Sequence, residues 1–270
     1  NIKEDGQAFT LQKAATWNLM PEGEPAGSQS LEASGDIVYT LRSQNERHYF
    51  ETYRVRDGED PIRLDAYALK GQGRALAIDA DLAFVAYLED SDDSCIECIN
   101  VSDPTDIDVI SDKKVASRPD RITVTEDILF VGCNSGPWNA PEWRMYALDF
   151  STPGQPEVVA EKTGTGTVWG IRAVDDIAFT AIYGGSVHAF LLNRMVDEIT
   201  SVALCDSPGS IGLALVPPTA ERPGYVYTPE GSGDPNSGMR SGAIGVVIQS
   251  FSIETDDCSV KGVVSPEAAE

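Results

Sequence analysis

Six residues of this chain pair charged with aromatic groups in a way suited to ligand recognition: Arg74, Asp120, Arg121, Trp138, Trp169 and Tyr183. Arginine presents a planar fork of donors, and Trp and Tyr add flat faces with a polar tip, as in recognition hot spots and sugar-stacking platforms. A second cluster, Asp90, Asp92 and Asp93 around Ser91, has enough oxygens for a Ca²⁺ ion, which takes about six to eight. It lacks the alternating spacing and glycine of a calcium loop, and a solvated acidic loop is the plainer reading. Cys95 and Cys98 form a Cys-x-x-Cys pair, but the run around them reads as strand, whereas redox chemistry wants a helix N-terminus to lower the thiolate pKa. A zinc site needs a second pair at ligand spacing, and His48 and His188 stand isolated. The five cysteines are odd in number, so at least one is unpaired within the chain, and structural thiols or one disulfide are expected.

Catalytic signatures are absent from the sequence. It has no Gly-x-Ser-x-Gly elbow, no His-Glu-x-x-His and no phosphate-binding Gly-x-x-x-x-Gly-Lys. Gly164-Thr165-Gly166-Thr167 is glycine-rich but joins two strands, so no helix dipole is aimed at an anion.

The elements that must hold these residues are short strands in a repeating unit. A small polar turn followed by an apolar strand appears as Gly35-Asp36-Ile37-Val38-Tyr39-Thr40 and Ala80-Asp81-Leu82-Ala83-Phe84-Val85. It returns as Glu126-Asp127-Ile128-Leu129-Phe130-Val131, Asp175-Asp176-Ile177-Ala178-Phe179-Thr180 and, degenerately, Pro223-Gly224-Tyr225-Val226-Tyr227-Thr228. The anchor acids Asp36, Asp81, Asp127 and Asp176 lie 45, 46 and 49 residues apart, the length of a four-stranded blade. Each unit places an alternating strand before the anchor and a third strand after a variable loop. A turn such as Val101-Ser102-Asp103-Pro104 or Phe150-Ser151-Thr152-Pro153 then leads to a more polar fourth strand. With no long segment at helical period, the expected class is all-β: a single β-propeller of four-stranded blades.

The order of anchor strand, third strand and Val-Ser-Asp-Pro resembles the LVIVD-repeat β-propellers, from about Ser28 onward and most closely over residues 74–165. The first, fourth and fifth copies depart from it at the turn, with Arg56-Asp57-Gly58-Glu59-Asp60-Pro61, Asn193-Arg194-Met195 and Glu254-Thr255-Asp256-Asp257. The repeats are placed at about 28–72, 73–117, 118–166, 167–209 and 210–270. Five blades are expected, or six or seven if the chain is a fragment. Residues 1–27 contain a lone strand, Phe9 to Ala15, that closes the ring or is left over.

In such a blade, the loop between second and third strands and the connection to the next blade emerge on one face, where the loop lengths vary. Arg74, Asp120 with Arg121, and Trp169 fall just before their inner strands and are expected to ring the mouth of the central channel. Trp138 and Tyr183 sit in or beside the variable loops. Trp143, which opens a strand, reads as core, and His48 as a surface residue.

The charge narrows the partners. Forty-three acidic against twenty basic residues give a net charge of −23, so nucleic acid and anionic membranes are disfavoured. No apolar run is long enough to insert in a membrane as a helix. The acidity, with thirteen Arg against seven Lys, also fits a halophilic protein working in high salt, where self-repulsion is screened. The chain starts at Asn1 without a leader, which permits export, and Asn100-Val101-Ser102 is its only glycosylation sequon.

The reading these features favour is a non-enzymatic binding or scaffold module. It would be extracellular or on the cell surface, recognising a protein or glycan through the loop face, with no cofactor apart from the possible Ca²⁺. The family resemblance implies no settled catalytic activity. The alternatives are a metal-dependent hydrolase or lactonase at the channel mouth, where Asp120 is the one acidic candidate, and a structural subunit packed against neighbouring subunits.

Overall fold

The computed structural model describes residues 26–89, 94–137, 139–183, 186–206, 213–218, 224–230, 245–254 and 259–264. The expected lone strand Phe9 to Ala15 lies outside them, as do Asp90, Asp92, Asp93, Trp138 and Cys258.

None of the described residues is helical. Among the described residues, twenty strands form five antiparallel sheets of four, each built from four consecutive strands. The first holds β1 (Ala26–Ser34), β2 (Ile37–Gln44), β3 (Arg47–Arg54) and β4 (Ile62–Ala68). The second holds β5 (Gly71–Asp79), β6 (Leu82–Glu89), β7 (Ser94–Asn100) and β8 (Asp108–Val115), and the third β9 (Arg118–Thr125), β10 (Ile128–Ser135), β11 (Glu142–Asp149) and β12 (Glu157–Thr165). The fourth holds β13 (Thr167–Val174), β14 (Ile177–Tyr183), β15 (Ser186–Asn193) and β16 (Glu198–Asp206). The fifth holds β17 (Ala214–Val216), β18 (Gly224–Glu230), β19 (Gly245–Glu254) and β20 (Ser259–Val264).

The anchor turn recurs as a physical device. Its first residue has positive φ in four sheets, at Gly35 (62°), Ala80 (47°), Glu126 (49°) and Asp175 (50°). That conformation lets two residues reverse the chain with the twist that paired strands require. The anchor acid's own carbonyl then accepts a backbone hydrogen bond from the end of the third strand or the residue just past it: Val55 to Asp36, Val101 to Asp81, Phe150 to Asp127 and Leu192 to Asp176, at 2.7–2.8 Å. One local turn thus sets the register of three strands.

Side chains alternate between two neighbouring sheets, so both faces of the middle strands are buried. On β6, Val85 and Tyr87 pack toward the first sheet while Phe84 and Ala86 pack toward the third. That is why Leu82 to Leu88 is an unbroken apolar run and not an alternating one. Equivalent clusters lie between the third and fourth sheets, around Phe130, Trp143 and Phe190, and between the fourth and fifth, around Phe179 and Val226. Phe50, Phe84 and Phe130 are at most 1% exposed, and each stabilises the stack by roughly 1.5–3 kcal/mol.

The Ser-Asp-Pro turns fasten one sheet to the next. The Thr52 hydroxyl donates to the Pro104 carbonyl at 2.6 Å, and the Ser111 hydroxyl donates to the Pro153 carbonyl. First strands also lie against one another in chain order, β1 by β5, β5 by β9, β9 by β13 and β13 by β17. The loops from second to third strands contain two, four, six, two and fourteen residues, at the end of the sheets opposite the anchor turns. Length variation falls where the repeat pattern places it.

Candidate functional site

Among the described residues, four of the five first strands carry one extra residue. In β1 the ladder skips Gln29, in β5 Arg74, in β9 Asp120 and in β13 Trp169, each seven residues ahead of its anchor acid. A bulge releases a residue from ladder pairing and re-aims its side chain, so the same place in four sheets presents four different groups. These residues lie inside the first strands, not just before them as the sequence suggests. The bulge lets the strand continue past a residue that breaks the alternation.

The bulge residues and their neighbours form one hydrogen-bonded chain across three sheets. Asp120 is 5% exposed. Its Oδ1 accepts from Arg74 Nε at 3.1 Å and from Arg74 Nη2, while its Oδ2 accepts from Arg118 Nε at 3.0 Å and Asn134 Nδ2 at 2.9 Å. Burial alone would raise the Asp120 carboxyl, but the hydrogen bonds from Arg74 and Asn134 and the charges of Arg74 and Arg118 outweigh it. They hold the group below the usual carboxylate range.

Asn134 then clamps the fourth sheet, donating to the Val168 carbonyl at 3.0 Å and accepting from the Val168 N–H at 2.7 Å. Arg121 donates from Nη1 to the Asp120 carbonyl at 2.6 Å and from Nε to the Trp169 carbonyl at 2.7 Å. The Trp169 ring lies on Tyr183 with centroids 5.5 Å apart and planes inclined at 31°. Its indole N–H is buried without a partner among the described residues. Close approach of β10 to β13 depends on Gly132, where a Cβ would sit 2.9 Å from Val168 Cγ1.

The geometry therefore joins Arg74, Asp120, Arg121, Trp169 and Tyr183 at the variable-loop end of adjacent sheets. Arg118 and Asn134 complete the network and carry no sequence signal of their own, because their partners belong to other strands. Trp143 is 5% exposed and packs on Phe190 at 5.5 Å, as core. His48 is half-buried, with its Nδ1 2.7 Å from the Ser43 hydroxyl.

Two buried glutamates occupy the same ladder position in successive sheets, Glu51 opposite Thr40 and Glu97 opposite Val85. Glu51 is held by Arg42 in a two-pronged pair at 2.8 Å each, with Tyr53 at 2.8 Å and Arg63 at 3.3 Å. Glu97 takes Lys70 at 3.3 Å, Tyr87 at 3.0 Å and Tyr67 at 3.3 Å, and the last two donors tie it to both sheets. Glu97 thus ties the first sheet to the second, whereas the partners of Glu51 all lie within the first.

Cys95 and Cys98 are fully buried free thiols on β7 that belong to different clusters, on opposite faces of the sheet. Burial raises both, Cys98 to about 11, and raises Cys133 to about 12. Thiols so disposed are poor nucleophiles. Among the described residues, no group of three or more His, Cys, Asp or Glu side chains is placed to hold a metal ion, and no helix is long and apolar enough to cross a membrane.

Comparison with known protein families and with curated proteins finds no match for this chain.

Proposed function

We propose that the sheets close into a five-bladed β-propeller whose first strands line a central channel, and that the protein is a non-enzymatic recognition module. Its place is outside the cell or on the cell surface, and its ligand is a protein or a glycan held on the face that carries the variable loops. The likeness of its repeats to LVIVD-repeat propellers supports this reading of the fold.

The observation that carries the functional reading is the network from Arg74 through Asp120 and Arg121 to Trp169 and Tyr183. It fixes charged and aromatic groups from three sheets at one end of the molecule, on strands rather than on loops. Rigid scaffolds that hold half-buried rings and guanidinium groups in place bind with little ordering cost. Replacing Trp169 and Trp138 by Ala, singly, and measuring binding to arrayed glycans and surface-protein fractions tests the reading. Loss of a captured ligand in either variant supports the face as the binding surface, and unchanged binding in both refutes it.

A further inference from the structure

The first strands differ in charge from the rest of the chain. They carry Arg74, Arg118, Arg121 and Arg172 against Glu32, Asp79 and Asp120, in a protein of net charge −23. Arg74 and Arg118 are committed to Asp120. Arg121 and Arg172 are not committed to any acid: Arg121 donates to the Asp120 and Trp169 carbonyls, and Arg172 Nη1 donates to the Ile171 carbonyl at 2.9 Å. Among the described residues neither forms an ion pair. Backbone carbonyls orient a guanidinium without cancelling its charge.

Both side chains are exposed, on the adjacent strands β9 and β13. Burial lowers the proton affinity of Arg121; the charge of Asp120 opposes that shift, and those of Arg74 and Arg172 add to it. Each guanidinium has five donors, so several N–H groups of this pair remain to be used. Arg121 Nε is bonded to the backbone carbonyl of Trp169, the residue whose ring lies on Tyr183.

We infer that Arg121 and Arg172, with the Trp169–Tyr183 ring pair beside them, seat the terminal unit of an acidic saccharide, its carboxylate on the guanidinium groups and its sugar ring against the aromatic face. This deepens the reading of the loop face as a recognition surface and rests on it. A carboxylate matches the planar arginine fork, and stacked C–H groups of a pyranose match an indole or phenol face. A polyanionic chain would be repelled by the surrounding charge, so a single acidic unit is the fitting ligand.

The test is ligand-observed NMR titration of the full chain with glucuronate, glucose, acetate and a short peptide ending in a free carboxylate. Glucuronate is expected to bind at least about tenfold more tightly than glucose or acetate, and to weaken as salt rises to about 1 M. Arg172→Gln is expected to weaken it by about tenfold, and Arg172→Lys, which keeps the charge but loses the fork, by an intermediate factor. Among the described residues Arg172 makes one hydrogen bond, to a backbone carbonyl, so circular dichroism is expected to show both variants folded. Equal binding of glucose, equal binding of acetate, or indifference to Arg172→Gln would each overturn the inference. Tighter binding of the peptide would overturn it in favour of a protein ligand. If none of the four probes binds while Trp169→Ala still abolishes capture of an arrayed ligand, the acidic-saccharide seat fails and the recognition face stands.

Discussion

Replacing Asp120 by Ala removes a carboxylate that receives Arg74, Arg118 and the Asn134 amide, and it does so at the junction of three sheets. Breaking a buried pair from one side costs about 3–5 kcal/mol, because the surviving partner is stranded. Here the Arg74 and Arg118 side chains are 24% and 50% exposed and recover some hydration, and Asn134 keeps its bonds to Val168. The expected loss is therefore about 3 kcal/mol near pH 7, or about 6–12 °C in Tm for a chain of this size.

Asp120→Asn keeps an acceptor and is expected to lose about half as much. The pH dependence checks the cause. A carboxyl depressed in the folded state stabilises it above the unfolded value near ~3.9 and loses that contribution as pH falls through the folded value. The gap between wild type and Asp120→Ala in thermal melts is thus expected to narrow below about pH 4. A gap that stays constant from pH 7 to pH 3, or one below about 0.5 kcal/mol at pH 7, would refute the role assigned to Asp120.

Other perturbations address separate parts of the fold. Gly164→Ala places a Cβ inside the space of the Trp143 ring, so the indole must move; a loss of about 1–3 kcal/mol and a shift in tryptophan emission are expected. Arg194 bridges Asp127 at 2.7 Å and Asp176 at 2.6 Å, anchor acids of two sheets. Arg194→Ala is expected to cost about 1 kcal/mol or less in urea melts at low salt, and less at high salt. Cys95, Cys98 and Cys133 are expected to resist iodoacetamide until urea unfolds the chain, as read by mass spectrometry of the labelled peptides. Burial lowers the His188 pKa, so the unfolded chain takes up its proton first. This histidine therefore withdraws stability as pH falls below about 6.5, and His188→Gln is expected to flatten the melts over that range.

Much of the architecture is legible because it is written locally. The anchor turn shows as a two-residue signal, and the middle strands show as apolar runs because both faces are covered. The Ser-Asp-Pro turns show as punctuation, although their carbonyls' role as acceptors for the preceding sheet does not. The departures from that pattern have structure of their own: Asn193-Arg194-Met195, which breaks the motif, supplies the arginine that joins two anchor acids.

The site was legible only in part. Arg74, Asp120, Arg121 and Trp169 stand out through their offset from the repeat, but Arg118, Asn134 and Arg172 do not. Their significance depends on which group of another sheet lies opposite, and no periodicity encodes that. Glu51 and Glu97 are similar, since an acid inside an apolar strand reads as an exception until Arg42, Lys70 and the tyrosines are brought to it.

The extra residue in four of the first strands separates two demands that usually compete. Everywhere else in the strand, a side chain must suit its packing neighbours or the sheet fails. At the bulge the ladder closes around the residue, and Gln, Arg, Asp and Trp are all accommodated at the same offset. Each of these four repeats thus has one interchangeable slot on an otherwise constant frame. Changing specificity becomes a matter of rewriting a few slots, and the frame can pass through such changes without renegotiating its core.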